Sequence, residues 1–215
     1  SYGNYADIPS TLQCISPDGE VAVVEECSNM TEFCYSSDRL YGFFSSYDAD
    51  WNASITYLSF DVAEKSVNSP WIKEAYLPSP YKICAVGDYI CVTSSDYIND
   101  GDTYLYGVDG KLVKAIPSGL NPVKVVSDQM VLYVLNSGDW QATNSSLTMC
   151  NLETGVVEQG YFEAQNGRCL GNNANDIIVY GSKMYIVVSG ESTIEVASLD
   201  AKSIKQIECT VQSDI

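Results

Sequence analysis

An internal repeat is the feature that most constrains the fold of this chain. Four segments share an apolar strand pattern, a tight polar turn, a second apolar strand pattern and a small polar pair that opens a loop. The segments are 37–46, 87–95, 130–137 and 183–190. The positions taken as equivalent are Ser45, Ser94, Asn136 and Ser189, and the differences between these residue numbers are 49, 42 and 53. Repeats of about 40 to 50 residues are typical of the blades of a β-propeller.

Each repeat continues through a variable loop into a second hairpin, so that every repeat contains four strand patterns. Strict alternation and short runs of Val, Ile, Tyr and Phe dominate the chain, whereas the helical spacing of apolar residues is almost absent. Four antiparallel strands make one propeller blade. The sequence therefore predicts an all-β protein with blades at about 32–78, 79–119, 120–170 and 171–209.

The N-terminal part of the chain predicts an additional hairpin. Residues 11–25, with a turn at Asp18-Gly19, match the outer hairpin of a blade, and no inner hairpin precedes them. The count is therefore about four and a half blades within a single propeller domain over residues 1–215. Because half a blade leaves unpaired strand edges, we expect the chain to represent part of a longer propeller.

The charge balance restricts the partners that the chain can bind. Lys and Arg number 11 against 28 Asp and Glu, which gives a net charge of −17. This excess of acid argues against nucleic acid and against an anionic membrane surface as partners. No apolar run is long enough to span a bilayer, so direct membrane insertion of this segment is not expected.

The chain contains no histidine, which removes the Ser-His-Asp and Cys-His mechanisms of hydrolysis. Its eight cysteines do not show the spacing of a zinc site, and no metal site or cofactor is predicted from them. Cys84 and Cys91 are symmetric about Gly87-Asp88 and are predicted to oppose each other across one hairpin. Both a disulfide and two thiols are compatible with that placement.

A ligand-binding rim is predicted where the loops inside each blade and the loops between blades open on one face. Loops on a rigid scaffold commonly carry binding residues. Aromatic rings there offer flat apolar surfaces for a sugar or a corrin edge, while acids and amides supply hydrogen bonds. The predicted binding residues are Tyr47, Asp48, Asp50, Trp51, Asp96, Tyr97, Asp100, Asp102, Asp139, Trp140 and Asn173. The alternative is that these side chains only solvate and fix long loops.

Calcium is a competing interpretation of the same acidic residues. Asp48, Asp50 and Asn52 have the alternate spacing that points oxygens at a hard cation. However, Ala53 stands where an EF-hand requires glycine, and Ser59 stands where it requires the bidentate glutamate. The sequence thus favours solvated acidic turns, both there and at Asp100-Gly101-Asp102.

The last repeat resembles a known family. The segment 175–188, followed by Thr193-Ile194-Glu195-Val196, is similar to the YncE-like β-propellers that occur as surface lipoproteins of gut Bacteroidetes. The resemblance is weaker over 122–162 and is limited to the general pattern before Pro80. It implies a seven-bladed ring held at the outer membrane by a lipidated N-terminus, which we expect to lie outside the present segment. Members of the family capture corrinoids or accompany importers of glycans or peptides, and no functional residue is transferred from them.

Three functional hypotheses follow from the residues and the resemblance. The first is a non-catalytic propeller at the bacterial cell surface that captures a soluble nutrient, such as a glycan, corrinoid or peptide, for an outer-membrane transporter. The second is a metal-dependent propeller hydrolase or lactonase, which requires several converging carboxylates and an open metal position. The third is a protein-interaction platform, which requires a large exposed apolar patch.

Overall fold

The structure is a computed structural model, and it describes residues 10–27, 32–47, 50, 53–72 and 79–209. A two-stranded hairpin comes first, followed by four sheets that we call blades 1 to 4. The hairpin consists of β1 (Ser10–Ile15) and β2 (Val21–Cys27). Blade 1 consists of β3 (Glu32–Ser36), β4 (Arg39–Tyr47), β5 (Ala53–Asp61) and β6 (Ser66–Asn68). Blade 2 consists of β7 (Pro80–Val86), β8 (Tyr89–Ser94), β9 (Asp100–Gly107) and β10 (Leu112–Leu120). Blade 3 consists of β11 (Pro122–Asp128), β12 (Val131–Asn136), β13 (Ser146–Asn151) and β14 (Val157–Glu158). Blade 4 consists of β15 (Ala174–Tyr180), β16 (Lys183–Val188), β17 (Thr193–Ser198) and β18 (Ser203–Glu208).

In every blade the strands lie in chain order, as an antiparallel meander. The helical segments within the described ranges are α1 (Tyr161–Asn166) and a single 3₁₀ turn at Ser189–Glu191. None of the helices described is long and apolar enough to cross a membrane. The prediction of four-stranded antiparallel blades preceded by a hairpin is confirmed.

The chain divides into two compact units. Unit 1 comprises Ser1–Ala75, Ile83–Ile90 and Gly107–Lys111, and unit 2 comprises Tyr76–Lys82, Cys91–Tyr106 and Leu112–Ile215. The division runs through blade 2, and it places Cys84 in unit 1 and Cys91 in unit 2. The opposition of these two cysteines stays a prediction, as does the single domain over the whole chain.

Unit 1 is organised around buried aromatic side chains. The ring of Tyr41 packs 4.8 Å from the ring of Trp71, measured between centroids. The indole N–H of Trp71 donates to the carbonyl of Val108 at 3.0 Å. A Cβ at Gly110 would clash with the carbonyl oxygen of Trp71, and the φ of this residue is 80°, so this turn requires a glycine. Burial, with a smaller contribution from Cys84, raises the pKa of Cys34 to about 12, which keeps that thiol protonated.

Unit 2 contains a continuous hydrophobic cluster between blades 3 and 4. Leu135 and Leu147 of blade 3 pack with Ile177 and Ile186 of blade 4, and all four side chains are fully buried. Phe162 of α1 joins this cluster, because the helix folds back over blade 3. The alternation of apolar residues in the strands thus places one face of blade 4 in the core, as period-two patterning requires.

A repeated polar contact joins consecutive blades of unit 2. The Ser95 hydroxyl donates to the Asn121 side-chain oxygen, and the Ser137 hydroxyl donates to the Asn173 side-chain oxygen at 3.0 Å. Both asparagines have positive φ, 54° and 53° respectively, a conformation that asparagine tolerates better than most residues. We call the contact between Ser95 and Asn121 the first junction and that between Ser137 and Asn173 the second junction.

The junctions correct one detail of the sequence alignment. Within each blade of unit 2, a backbone N–H at the end of the second strand donates to the carbonyl of the positive-φ residue that precedes the blade. The donors are Ser95, Ser137 and Ser189. Ser189 is therefore equivalent to Ser95 and Ser137, not to Ser94 and Asn136, and the last spacing is 52 residues rather than 53. The sequence alignment of the last repeat was wrong by one residue, because several small polar residues in a row stand at the end of each second strand.

Candidate functional site

The predicted binding residues fall into three groups in the structure. Asp48 and Trp51 lie outside the described residues, and so does the side chain of Tyr47. Asp50 is exposed and belongs to unit 1. The remaining residues belong to unit 2, where some of them line one cavity. They are Asp96, Tyr97, Asp100, Asp102, Asp139, Trp140 and Asn173.

The cavity has a volume of about 560 Å³, and we call it the aromatic cleft. Its lining residues are Tyr81, Tyr97, Asn121, Asp139, Trp140 and Gln141. Three of the residues predicted from the sequence, Tyr97, Asp139 and Trp140, are thus brought together. The prediction that Tyr97 and Trp140 are solvent-exposed is confirmed, because 58% and 72% of their surfaces are accessible.

Two tyrosines form one side of the cleft. Their rings, Tyr81 and Tyr97, meet edge to face, with centroids 5.5 Å apart and planes at 79°. This is a favourable arrangement for two aromatic quadrupoles. The Lys82 ammonium lies 5.3 Å from the centroid of Tyr81 and covers one face of that ring. Burial raises the pKa of Tyr97, nearby Tyr81 adds to this, and Lys82 opposes it, so the phenol is neutral around pH 7.

The loop that carries Tyr97 is fixed by its own side chains. Asp96 accepts hydrogen bonds from the backbone N–H groups of Ile98 and Asn99 at 2.9 and 2.7 Å. Its second oxygen accepts from the Asn99 side-chain amide at 2.8 Å. These bonds, with those from Asn99 the largest contribution, lower the pKa of Asp96 to about 2. Asp96 therefore organises the loop and does not line the cleft.

The loop that carries Trp140 is held in the same manner. The Asn144 side-chain oxygen accepts the backbone N–H of Asp139 at 2.8 Å, and Asp139 accepts the backbone N–H of Gln141 at 3.0 Å. The Asn172 side-chain amide donates to the Trp140 carbonyl at 3.2 Å. The backbone is thereby fixed while the indole ring stays in solvent, which reduces the ordering cost of binding.

Asn121 lines the cleft and connects the loop of Tyr97 with the loop of Trp140. Its side-chain oxygen accepts from Ser95 on the loop of Tyr97, and its side-chain nitrogen donates to the Gly138 carbonyl at 2.9 Å on the loop of Trp140. Because both polar atoms already make hydrogen bonds within the protein and the side chain is buried, Asn121 serves mainly to position the cleft.

Five polar groups of the cleft remain available to a ligand. Within the part of the chain that the structure describes, the hydroxyls of Tyr81 and Tyr97 and the indole N–H of Trp140 have no hydrogen-bond partner, and the same holds for the Gln141 side-chain amide. One oxygen of Asp139 is similarly unused by the protein. Donors and acceptors are thus distributed around apolar ring faces, as in sites for polar organic ligands.

The other predicted residues lie elsewhere in unit 2. Asp100 pairs with Leu120 in the sheet, and Asp102 accepts the Tyr104 hydroxyl at 3.5 Å. Asn173 makes the second junction. Among the described residues, no three acidic, cysteine or histidine side chains are grouped to hold a metal ion. The calcium pattern at Asp48, Asp50 and Asn52 lies mostly outside those residues.

The site contains residues that the sequence-based prediction did not select. Gln141 and Asn121 belong to loops that were assigned to the rim, but neither was identified individually. Tyr81 was missed because it is the second residue of β7, where an aromatic residue fits an ordinary strand pattern. Its position directly after Pro78-Ser79-Pro80, which the sequence predicts as a connection between blades, was the available signal.

Comparisons with known proteins identify the fold. No protein-family model and no curated protein matches this chain. The crystal structure of the computationally designed Ika4 protein is similar with a TM-score of 0.56 at 8% identity, over 88% of this chain and 99% of that one. The β-propeller domain of the trilobed protease from Pyrococcus furiosus, described as having an open velcro topology, is similar with a TM-score of 0.51 at 9% identity. That match covers 83% of this chain and 56% of the other. The predicted β-propeller fold is confirmed, and at such low identities the similarity concerns the fold alone.

Proposed function

We propose that this β-propeller is a non-catalytic binding protein that holds a soluble organic ligand in the aromatic cleft. The observation that carries the proposal is the exposed Trp140, which lies on a loop fixed by hydrogen bonds and lines the same cavity as the Tyr81 and Tyr97 pair. An exposed aromatic side chain is not stabilised by packing in the protein core, and such side chains are common in binding sites.

The volume of the cleft supports the same function. About 560 Å³ lies inside the range of roughly 300 to 1,000 Å³ that is typical of small-molecule sites. The cleft also combines apolar ring faces with a few polar groups, which is the usual composition of such sites. Both loops are preorganised, so a ligand does not have to order them.

The place of this function in a cell rests on the family resemblance. We propose that the protein acts at the bacterial surface as part of an outer-membrane lipoprotein, where it passes a nutrient to a transporter. A binding protein in that position needs reversible capture rather than chemistry, which agrees with a cleft lined mainly by aromatic and amide side chains, with Asp139 as its one acidic lining residue among those described.

A thermal-shift screen tests the proposal directly, because a ligand that binds only the folded state raises its melting temperature. The screen uses oligosaccharides, cobamides and short peptides. Each compound that raises the melting temperature is then tested on Trp140→Ala and on Tyr180→Ala. Tyr180 is a suitable control since it is 75% exposed, belongs to the same unit and does not line the cleft.

We expect the effect of the ligand to be lost in Trp140→Ala and retained in Tyr180→Ala. Equal binding to the wild-type protein and to Trp140→Ala would contradict the proposal, since the ligand would then occupy another surface.

A further inference from the structure

We infer that the ligand of the aromatic cleft is a neutral oligosaccharide, an inference that rests on the proposed binding function. A pyranose ring has a face of C–H groups and an edge of hydroxyl groups. It therefore needs an aromatic surface with hydrogen-bonding groups beside it. The cleft supplies this combination through Trp140 and Tyr97, with the Gln141 amide and the free oxygen of Asp139 at its border.

The charges around the cleft act differently on anions and on cations. Asp139 lines the cleft, and the whole chain carries a net charge of −17, so an anionic ligand is repelled. The same acidic charge attracts a cation, but the Lys82 ammonium already covers one face of Tyr81. A second positive charge beside the same ring pair would be repelled by the first. A neutral ligand avoids both repulsions.

The arrangement of the rings favours more than one sugar unit. The Tyr81 and Tyr97 planes meet at 79°, so the cleft offers aromatic surfaces in different orientations, as well as the separate indole of Trp140. A volume of about 560 Å³ leaves room for a chain of sugar rings that follows these surfaces. A small compact ligand would leave much of that volume to water.

The test compares ligands that share ring size and differ in charge. Isothermal titration calorimetry is carried out on the wild-type protein with a panel of neutral trisaccharides of glucose, mannose, galactose and N-acetylglucosamine. The charged counterparts are the trisaccharide of glucosamine, which is cationic at pH 6, and that of galacturonic acid, which is anionic. Choline, a cobamide and a short peptide are included as other chemical classes.

Variants locate the binding and examine the role of charge. Trp140→Ala should weaken binding of a neutral trisaccharide about 10-fold or more, as the loss of a central aromatic contact does in other interfaces. Trp140→Phe should retain part of the affinity, and Tyr180→Ala should retain all of it. Asp139→Asn should change the affinity less than about 5-fold, since a neutral ligand needs a hydrogen-bond acceptor there and not a charge. Binding should also be unaffected by salt, because screening acts only on charged partners.

The outcomes separate this inference from the proposed function. Binding of at least one neutral trisaccharide, dependent on Trp140 and insensitive to salt, supports both. A second outcome is that choline, the cobamide or the peptide binds in a Trp140-dependent manner while no neutral trisaccharide binds. That result overturns the inference and leaves the proposed function standing. Charged trisaccharides binding more tightly than neutral ones overturn it as well. If no compound binds in a Trp140-dependent manner, both the inference and the proposed function are wrong.

Discussion

The two junctions of unit 2 use the same hydrogen bond and support different surfaces. At the first junction, the loops between the second and third strands of the adjoining blades are 95–99 and 137–145, and both rise beside the aromatic cleft. At the second junction, the corresponding loop of blade 4 contains only residues 189–192 and turns tightly, with Glu191 accepting the backbone N–H of Asn172. The comparison shows that the contact between serine and asparagine recurs at both junctions, whereas the cavity forms where the loops carry the aromatic side chains of Tyr97 and Trp140.

The two junctions also differ in the contacts that accompany them. Blades 3 and 4, which the second junction joins, share the cluster that contains Leu135, Ile177 and Phe162. Arg168, which precedes blade 4, makes an ion pair with buried Glu195 of that blade at 2.9 Å. At the first junction the Asn121 side chain makes two hydrogen bonds, whereas at the second junction the Asn173 side chain makes one. The first junction therefore depends more on its asparagine. The following predictions test this contrast, beginning with the largest effect.

Removing an apolar side chain from the cluster that blades 3 and 4 share should have the largest effect on stability. Phe162 is fully buried, so Phe162→Ala should lower the free energy of unfolding by about 3 to 5 kcal/mol through lost burial and a cavity. Urea denaturation followed by circular dichroism measures the change. Tyr180→Ala serves as the control and should change the stability by less than about 0.5 kcal/mol. A small effect of Phe162→Ala would show that α1 is not part of the cooperative core.

Asn121 and Asn173 should differ in their contributions to the free energy of unfolding. Asn121→Ala removes two hydrogen bonds and places alanine at positive φ, so the expected loss is about 2 to 3 kcal/mol. Asn173→Ala removes one such bond and should cost about 1 to 2 kcal/mol. Asn→Gly variants at both positions separate the two causes, since glycine relieves the backbone strain without restoring the hydrogen bonds. Equal losses for the two alanine variants would remove the proposed difference between the junctions.

Acid should act on the loop of Tyr97 at the first junction. The pKa of Asp96 is lowered from 3.8 to about 2 by its hydrogen bonds, which favour the ionised form. A depressed pKa means that the contribution of Asp96 is fully present above about pH 4 and declines as the pH falls toward 2. Nuclear magnetic resonance of the Asp96 carboxyl carbon should show this midpoint, while Asp96→Asn should leave the amide signals of Ile98 and Asn99 without an acid transition. A midpoint near 4 would mean that the loop is not organised by Asp96.

The smallest effect is expected at the cleft itself. Because 72% of the Trp140 surface is exposed, Trp140→Ala should change the free energy of unfolding by less than about 0.5 kcal/mol. The same urea titration measures this change, alongside the loss of ligand binding described above. A loss of more than about 2 kcal/mol would indicate that the indole has a structural role, and the binding proposal would lose its main support.

Much of the framework was predictable from the sequence, but the full lining of the cleft was not. Turn residues such as Asp18-Gly19 and the repeated small polar residues after each second strand identified the hairpins and the blades. Tyr97 and Trp140 were found because they follow equivalent positions in successive repeats. Tyr81 was not found, because nothing in its local pattern separates it from an ordinary strand tyrosine.

The sequence by itself determined the strands, their meander order and the number of blades, because alternation and turn chemistry act between residues that are close along the chain. Only the tertiary structure decided which polar residues are available to a ligand. Asp96, Asn121 and Asn173 have the composition of binding residues, yet their side chains are used within the protein to hold loops and adjoining blades. Such use depends on partners that lie up to 36 residues away along the chain, as for Ser137 and Asn173, and so on the packing of one blade against the next.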